Sequence, residues 1–539
     1  MVRAAERGDR LTADWPGWAE SFAGNCLTSG WLAVSKSGVH MDNLLTAFQA
    51  SVAANSAKTA LFWAESEFSY AHFGRESAAV GRALRERLGV RPGDRVGLWL
   101  RNRPEFVSAL FGVLGADAVA VPVNTFLKPN EVAYMLADAG VTVLLTETAM
   151  AEAAAELMSS LGSLQLLYAE DFASLPAESA ESAERFISRR TAADLAVLIY
   201  TSGTTGHPKG AMLTHRNLLS NVESCRQVLE VVEFDRFVLL LPMFHSFMLT
   251  VSILLPLLVG GSIVLIKGLG QPKNMVAEML QSRGTVLPAM AALFRALAHL
   301  PSPIELPLRI CISGAGPLPL EILRSFNERH PNVPLIEGYG LSEASPVVCV
   351  NPVQGPHHAG TIGPVIPEVE MTVQDDAGNQ LPDHTDGELC VRGPNVMAGY
   401  WNAPAKTAET LVNGWLRTGD IGHRRSDGWF VVTDRKKDML KPNGINVYPR
   451  EIEEVIYRFP GIKECAVVGE PDEKRGERAV AFVALDEATA GDFSDKALLD
   501  FLRPQMADYK LPRRVLVLPA LPRNATGKIL KIALREKLR

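Results

Sequence analysis

Residues 198–210 read Leu-Ile-Tyr-Thr-Ser-Gly-Thr-Thr-Gly-His-Pro-Lys-Gly, an apolar run that enters a segment of hydroxyl-bearing and glycine residues. Glycine lets the backbone approach an anion and turn its N–H groups inward. The hydroxyls add donors and Lys209 adds a positive charge, so the segment predicts a phosphate-binding loop. It is not a Walker A loop, because Pro208 and Gly210 stand where that motif has Gly before its lysine and Ser or Thr after it. An exposed Ser/Gly surface loop is the alternative.

The segments around this loop alternate between strand-like and helix-like patterns. From about residue 60, apolar runs such as AVAVPV and VTVLLTE alternate with helical stretches such as EVAYMLADAG, and a similar unit follows over residues 195–350. The alternation predicts an α/β fold in which helices cover a largely parallel sheet. From about residue 363 to 421, short strands with Gly- and Asp-rich turns predict a small antiparallel barrel or sheet.

The chain has 539 residues, which is too many for one hydrophobic core. We expect a large domain over residues 41–436, with a β-rich subdomain at about 355–436. A basic stretch at residues 434–438 is followed by a compact α+β pattern, which predicts a smaller C-terminal domain over residues 437–539. Residues 1–40 fit neither pattern and are interpreted as an N-terminal extension.

Composition excludes several classes of protein. The net charge of −6 gives no overall basic surface for nucleic acid, and the six cysteines are too far apart for a zinc site or a disulfide framework. Residues 237–266 carry no Asp, Glu, Lys or Arg, but Pro242, Pro256 and Gly260 favour a strand, helix and strand of a buried core over a membrane span. We expect a cytoplasmic protein, with peripheral membrane contact and a homodimer left open.

Residues 337–343 read Glu-Gly-Tyr-Gly-Leu-Ser-Glu and follow an apolar run. Tyr339 offers an aromatic plane on which a base can stack. Glu343 offers a carboxylate for Mg²⁺, a hard cation that prefers oxygen ligands and keeps phosphate partners. Taken alone, the segment is as well explained by a turn with a solvated glutamate.

Four other residues are candidates for chemistry. Asp420, expected just after a strand, can accept hydrogen bonds from ribose hydroxyls, and Arg435 can bind ribose or phosphate. Lys528 follows a glycine in a C-terminal loop, and His245 lies in an apolar stretch. Each has a simpler explanation on its own: an acidic turn, a solvated charge run, a basic tail and a hydrogen-bonded core histidine.

Six segments occur in one order along the chain: YTSGTTGHPKG, PMFHSF, EGYGLSEASP, GWLRTGDIG, DRKKDMLKPNGINVYPREIE and LPRNATGKILK. Together they resemble the motifs of the adenylate-forming superfamily of acyl-CoA synthetases, luciferases and nonribosomal adenylation domains. The resemblance spans about residues 45–539 and is strongest to fatty acyl-CoA ligases. It implies a large AMP-binding domain and a smaller, mobile C-terminal domain.

The resemblance also implies roles for the residues at matching positions. The β- and γ-phosphates would be held by Thr201, Ser202, Gly203, Thr204, Thr205, Gly206 and Lys209. The adenine and acyl pockets would be bordered by Gly314, Ala315, Gly316, Glu337, Gly338, Tyr339 and Gly340, with Tyr339 stacked on adenine. The remaining nucleotide contacts would be Ser342 on the α-phosphate, where the family often has Thr, Asp420 and Arg435 on the ribose, and Glu343 with Thr201 on Mg²⁺.

Four implied roles concern the reaction itself. Lys528 resembles the lysine that bridges the substrate carboxylate and the α-phosphate, and Lys437 resembles the interdomain hinge. His245 resembles the gate beside the acyl pocket. Lys441 and Gly444 belong to the face that would meet the thiol substrate after the small domain rotates.

The activity that the resemblance implies has two half-reactions. A carboxylic acid and ATP give an acyl-adenylate and pyrophosphate, and coenzyme A then takes the acyl group as a thioester. A medium- or long-chain fatty acid is favoured, because the apolar run at residues 242–258 can supply the wall of an alkyl pocket. The alternatives are an aryl-acid CoA ligase, a fatty acyl-AMP ligase that loads a carrier protein, a non-catalytic scaffold that binds acyl-adenylate, and a light-emitting oxygenase.

Overall fold

The computed structural model describes residues 42–176, 187–201, 208–267, 272–300, 305–473, 475–486, 491, 493–524 and 527–538. The expected extension at residues 1–40 lies outside the described residues. So do Ser202, Gly203, Thr204, Thr205 and Gly206 of the predicted phosphate loop. The chain from Asp42 onward forms one compact unit.

Strands alternate with helices from Thr59 to Val350, and short strands follow. Strands β1–β14 span Thr59–Trp63, Ser66–Ser69, Arg95–Leu98, Val119–Pro122, Val143–Thr146, Gln165–Tyr168, Leu195–Thr201, Lys209–Thr214, Arg236–Leu239, Ser262–Leu265, Val286–Ala289, Ile310–Ser313, Leu335–Gly340 and Val347–Val350. Strands β15–β22 span Glu370–Gln374, Gly387–Arg392, Leu411–Val412, Trp415–Arg424, Phe430–Arg435, Ile462–Asp472, Gly476–Leu485 and Arg514–Val517.

Helices connect most of these strands. Helices α1–α14 span Leu44–Asn55, Tyr70–Arg82, Glu105–Gly115, Pro129–Ala139, Ala151–Leu161, His215–Val228, Leu255–Val259, Pro272–Gln281, Ala291–Ala298, Leu320–Arg329, Pro404–Thr410, Pro449–Ile456, Asp495–Leu502 and Lys531–Glu536. Two π-helical segments span Ala83–Arg87 and Met248–Leu254. Within the described ranges, none of the helices is both long enough and apolar enough to cross a bilayer.

Two large sheets form the N-terminal part of the fold. The first has six strands in the order β6-β5-β3-β4-β7-β8, all parallel except the β7–β8 pair. The second has eight strands in the order β14-β13-β12-β11-β9-β10-β1-β2, with antiparallel pairs only at its two edges. Strands such as β4 and β5 are buried along their whole length, which explains their continuous apolar sequence. The predicted α/β fold with largely parallel sheets is confirmed.

The division of strands between the two sheets differs from the order of the two predicted units. Strand β1 precedes the first unit's strands but pairs with β10 of the second sheet. Strands β7 and β8 open the predicted second unit but complete the first sheet through the β4–β7 pair. The sequence pattern identifies strands by their periodicity, but pairing depends on packing between distant segments, which a local pattern does not contain.

Two smaller sheets follow. Strands β15–β19 form an antiparallel sheet where the sequence predicts an antiparallel barrel or sheet. Strands β20–β22 form a three-stranded sheet that carries apolar residues on both faces, with helices α12 and α13 on one face and α14 on the other. We call the residues up to 436 the large domain and those from Lys437 the small domain.

Helix α6 begins directly after β8, and its first turn explains why. The Thr214 hydroxyl accepts a hydrogen bond from the Asn217 amide at 3.1 Å, while the Asn217 side chain accepts one from the Thr214 amide at 2.8 Å. This reciprocal capping satisfies amides that the helix start would leave unpaired. It fixes the direction in which α6 leaves the β7–β8 pair.

Candidate active site

A cavity of about 1430 Å³ lies between the large and small domains. It gathers most of the predicted site residues, although they come from segments far apart in the sequence. The predicted residues that line it are Thr201, His245, Gly314, Ala315, Gly316, Glu337, Gly338, Tyr339, Gly340, Ser342, Glu343, Asp420, Arg435, Lys437 and Lys528. Lys209 lies beside it, whereas Lys441 and Gly444 lie on an exposed loop that does not border it.

Asp420 and Arg435 face each other on paired strands. They are register partners on β18 and β19, and Arg435 Nε lies 3.2 Å from Asp420 Oδ1. The other oxygen of Asp420 accepts a hydrogen bond from the Tyr339 hydroxyl at 2.7 Å. The structure therefore joins one side chain from each of three predicted segments. The negative charge of Asp420 raises the pKa of the Arg435 guanidinium.

The expectation that Asp420 follows a strand is wrong, because it lies inside the ten-residue strand β18. The pairing of β16 with β18 is irregular next to it, and Gly419 has a φ of 72°. A local irregularity of this kind re-aims a side chain within a strand, and glycine takes the left-handed conformation without a steric cost. A Gly-Asp pair that looked like a turn is therefore a bulge in a strand.

The Glu343 carboxylate lies where the sequence predicts a metal ligand. Thr201 Oγ1 donates to its Oε1 at 3.2 Å, and the Tyr400 hydroxyl donates to the same atom at 2.9 Å. One carboxylate beside a hydroxyl fits Mg²⁺, which usually takes one or two protein carboxylates and completes its octahedron with water and phosphate. Among the described residues no cluster of three or more His, Cys, Asp or Glu could form an all-protein metal site.

Lys209 starts β8 beside this carboxylate. Its ammonium lies 6.0 Å from the centre of the Tyr400 ring. Burial and the charge of Lys406 lower its pKa, while Glu409 and Glu343 raise it. The cation thus lies at the end of the predicted phosphate loop and close to the predicted metal ligand.

Lys528 reaches the cavity from the small domain. Partial burial, together with the positive charges of Arg435 and Lys437, lowers the pKa of its ammonium to about 8, while the charge of Asp420 opposes this shift. The described residues offer its Nζ no hydrogen bond or ion pair; the loop is instead held through the Lys528 amide, which donates to Asn524 Oδ1 at 2.8 Å. The ammonium is therefore partly buried among charged groups and is available to contact a ligand.

His245 and Ser342 also line the cavity. Burial lowers the pKa of His245 to about 4, and the charge of Lys528 contributes to the shift, so the imidazole is neutral at pH 7. Its Nδ1 accepts a hydrogen bond from the Phe247 amide at 3.3 Å. The Ser342 hydroxyl is hydrogen-bonded to the Ser246 hydroxyl at 2.9 Å.

Apolar side chains continue the cavity beyond these polar groups. They come from α6 and the residue after it, the π-helical segment and the residue before it, the second sheet and the connection that follows β14: Cys225, Val228, Leu229, Phe247, Val251, Ile312, Val347, Val350 and Ile362. Gly314 is required here, because a Cβ at this position would lie 2.8 Å from the Phe247 ring. The lining of the cavity therefore includes both charged groups and a set of apolar side chains.

Glu337 joins the cavity to the small domain. It is buried, and desolvation raises its pKa to about 7 against the opposing effect of Arg450. Its Oε1 accepts a hydrogen bond from the Leu318 amide at 3.2 Å and lies 3.9 Å from the Arg450 guanidinium. Glu337, which is predicted to lie beside the nucleotide, therefore also contacts the small domain through Arg450.

Arg295 forms another contact between the large and small domains, and neither contact was predicted from the sequence. Arg295 of α9 donates to both carboxylate oxygens of Asp486 at 2.8 and 2.6 Å. It also donates to the backbone carbonyls of Ile462 and Lys463 at 3.0 and 2.8 Å. One side chain of the large domain thus makes four hydrogen bonds to the small domain.

Sequence reasoning missed Tyr400, Ser246, Arg295 and Arg450. Each acts through a partner distant in the chain. Ser246 and Arg450 lie within two of the six quoted segments but were given no role there, whereas Tyr400 and Arg295 lie outside all six. A lone tyrosine or arginine in a helix or connection gives no local signal. Only the three-dimensional pairing identifies these residues.

Comparison with known proteins agrees with this geometry. The profile of the family described as AMP-binding enzyme matches residues 48–401, and that of the AMP-binding enzyme C-terminal domain matches residues 451–528. A long-chain-fatty-acid–CoA ligase of Escherichia coli O6:H1 is 32% identical over 536 residues, which cover 92% of this chain and 95% of the relative. A feruloyl-CoA synthase of an Amycolatopsis species is 35% identical over 475 residues, 87% of this chain and 94% of the relative.

Solved structures give the same result. The crystal structure of ATP-bound MatB from Rhodopseudomonas palustris superposes with a TM-score of 0.85 at 30% identity, covering 92% of this chain and 98% of that one. The family profiles cover most of the large domain and most of the small one. The chain therefore belongs to the AMP-binding enzyme family, and within it to the adenylate-forming acyl-CoA ligases.

Proposed function

We propose that this ligase activates a medium- or long-chain fatty acid with ATP and Mg²⁺ and transfers the acyl group to coenzyme A. The observation that carries the substrate class is the apolar part of the cavity lining, which consists of aliphatic and aromatic side chains such as Phe247, Val251 and Ile312. An alkyl chain gains free energy by leaving water for such a wall. The similarity to a long-chain-fatty-acid–CoA ligase supports the same class.

In the first half-reaction, a carboxylate oxygen attacks the α-phosphorus of ATP, the bond to the β-phosphate breaks and pyrophosphate leaves. Both reactants are anions, so the barrier includes their repulsion. The ammonium of Lys528, without a protein partner among the described residues, would offset that repulsion and stabilise the charge that develops on the α-phosphate. No general base is required, because a carboxylic acid is already ionised at neutral pH.

The large domain would hold the nucleotide during this step. Asp420 and Arg435 are suited to the ribose, and the Tyr339 ring to the adenine. Glu343, with Thr201 beside it, would hold Mg²⁺, which supplies positive charge to the phosphates when bound. The predicted loop at Ser202–Gly206 and Lys209 would hold the pyrophosphate.

In the second half-reaction, the thiol of coenzyme A attacks the acyl carbonyl and AMP leaves. Lys528 is not needed for this step. We propose that the small domain rotates about Lys437, which withdraws Lys528 and brings the exposed Lys441–Gly444 loop toward the site. The proposal is supported by the polar character of the interdomain contacts, since such contacts exchange with water at a small cost.

Pyrophosphate release with a panel of acids tests the substrate class. Saturated acids from C2 to C18 are compared with benzoate, coumarate and ferulate, each with and without coenzyme A. We expect kcat/KM to rise with chain length by up to about fourfold for each methylene group until the space along the apolar lining is filled. A maximum at C2–C4 would contradict the proposal.

An aryl acid is the second candidate, and the similarity to a feruloyl-CoA synthase favours it. It predicts a maximum with ferulate or coumarate and weak turnover of every saturated acid. Thioester formed only on a carrier protein, and not on coenzyme A, would instead indicate a carrier-loading enzyme. Absence of turnover with every acid would indicate a scaffold that binds but does not react.

A further inference from the structure

Tyr400 lies in the connection between β16 and α11, away from the motifs that predict the site. Its hydroxyl and that of Thr201 both donate to Oε1 of Glu343, at 2.9 and 3.2 Å. Within the described part of the chain, no donor is paired with Oε2 of this carboxylate. Two donors on one oxygen fix the plane of the carboxylate and leave its second oxygen to a cation.

The same connection also holds the backbone around Glu343. The Met397 amide donates to the Glu343 carbonyl at 2.8 Å, and the Asn395 side chain donates to the Ala344 carbonyl at 3.0 Å. The main chain and the side chain of Glu343 are therefore both held by hydrogen bonds from one segment, residues 395–400. Movement of this segment would move the carboxylate.

Tyr400 is itself fixed on the strand that follows the predicted phosphate loop. It forms a β-bridge with Ala211 of β8, and the next residue, Trp401, donates its amide to the Gly210 carbonyl at 2.8 Å. The Tyr400 amide donates to the Thr407 hydroxyl at 2.9 Å. The ring thus stands between Lys209, at 6.0 Å, and Glu343.

We propose that Tyr400 is a positioning residue, whose hydroxyl orients the Glu343 carboxylate to hold the Mg²⁺ that accompanies ATP. The inference rests on the proposed function, in which Glu343 holds the metal. Tyr400 does not touch the reacting atoms. Its anchoring on β8 makes the position of the metal ligand depend on the strand that begins at Lys209.

Calorimetry with α,β-methylene-ATP, which cannot be cleaved between the α- and β-phosphates, tests the proposal without turnover. The affinity of the full-length protein is measured with Mg²⁺ and with EDTA, and the ratio gives the gain due to the metal. Tyr400→Phe keeps the ring and removes the hydroxyl. We expect it to reduce this gain roughly 10-fold while the affinity in EDTA and the melting temperature stay close to wild type.

Tyr70→Phe is the matched control. The Tyr70 hydroxyl is buried and donates to the Gly261 carbonyl at 2.7 Å, and Tyr70 does not line the cavity. The variant also loses a hydrogen bond from a tyrosine hydroxyl, so its gain due to Mg²⁺ is expected to equal that of wild type. An equal reduction in both variants would show a general loss of stability and overturn the role of Tyr400.

Glu343→Gln separates the two levels of the proposal. If this variant keeps the full gain from Mg²⁺, the metal assignment within the proposed function is wrong. If it loses the gain while Tyr400→Phe keeps all of it, Glu343 holds the metal and the positioning role of Tyr400 is wrong. Loss in both variants, with the larger effect in Glu343→Gln, is the expected result.

Discussion

In the large domain, groups suited to the nucleotide contact one another from strands of two sheets: Tyr339 of β13 donates a hydrogen bond to Asp420 of β18, and Asp420 forms an ion pair with Arg435 of β19. The small domain instead presents Lys528 on a loop, and its ammonium has no hydrogen-bond partner among the described residues. What holds the small domain against the large one includes polar contacts such as that between Arg295 and Asp486. We call the groups on strands of the large domain the sheet-built half of the site. We call Lys528 and its loop in the small domain the delivered half.

This difference separates two kinds of defect. Damage to the half built into the sheet should weaken nucleotide binding in every step that uses a nucleotide. Damage to the delivered half should slow adenylate formation and leave the thioester step intact. Four substitutions and a pH profile distinguish the two halves, and substitution of Lys528 is expected to have the largest effect.

Lys528→Ala is expected to have the largest effect. Removal of the ammonium takes away the charge that offsets the repulsion between the carboxylate and the α-phosphate, so adenylate formation should slow by about 100- to 1000-fold. ATP–pyrophosphate exchange measures this step. Thioester formation from supplied acyl-adenylate and coenzyme A measures the second step and should remain within about threefold of wild type. Equal losses in both half-reactions would contradict the division between the two halves.

Asp420→Asn probes the half built into the sheet. The amide cannot accept at both positions as the carboxylate does, and Arg435 loses its ion pair, so the KM for ATP should rise about 10- to 100-fold. The KM for AMP in the reverse reaction should rise by a similar factor. Asp427→Asn, which changes a half-exposed carboxylate paired with Arg425, is the control. A lowered kcat with an unchanged KM for both nucleotides would show that Asp420 does not contribute to nucleotide binding, which would contradict its assignment to the sheet-built half.

The sequence predicts the sheet-built half better than the delivered half. Tyr339, Glu343 and Asp420 lie in short motifs whose residue types match their chemistry, and the structure brings them to one cavity. Lys528 also lies in a motif, but the domain that carries it is contacted by Arg295, which lies in an ordinary helical sequence. A motif contains the groups that meet a ligand. It does not contain the distant partners that hold those groups in place, and for this reason Tyr400 and Arg295 were missed.

The same limit explains the differences in the fold. Periodicity predicts the strands and their parallel arrangement, since buried parallel strands have continuous apolar sequences. It does not predict that β1 joins β10 or that β7 joins β4, because these pairs form between segments far apart in the chain. Asp420 was expected just after a strand, whereas it lies within β18, next to an irregularity in the pairing of β16 with β18.

Arg295→Ala tests whether polar contacts deliver Lys528. The variant loses four hydrogen bonds to the small domain, so the population with Lys528 in the site falls, and adenylate formation should slow by about 10-fold. The thioester step should be unchanged or faster. Arg324→Ala is the matched control, because Arg324 is exposed and pairs with Glu321 on its own helix. In the exchange variant that combines Arg295→Asp with Asp486→Arg, partial recovery of the rate of adenylate formation would support a direct pair. No recovery, together with a wild-type rate in Arg295→Ala, would show that this contact does not help to position Lys528.

The pH dependence of adenylate formation should give the smallest effect, and its sign follows from the lysine. Burial lowers the pKa of Lys528 to about 8, and the protonated ammonium is the form that offsets the negative charges. Activity is therefore present below this pKa and is lost as the pH rises through it. Between pH 7 and pH 8.5, kcat/KM for ATP, which reports the free enzyme, should fall about fourfold.

Lys528→Arg distinguishes this titration from that of other groups. A guanidinium stays protonated over the whole range, so the variant should be slower at pH 7 but lose less activity by pH 8.5. Lys209, whose pKa is also lowered, is retained in the variant and would still contribute its own decline. A decline as steep as that of wild type would therefore assign the titration to the sheet-built half rather than to the delivered lysine. A flat profile would assign the titration to Lys528. It would show that the small domain contributes an ammonium whose protonation depends on its burial in the site.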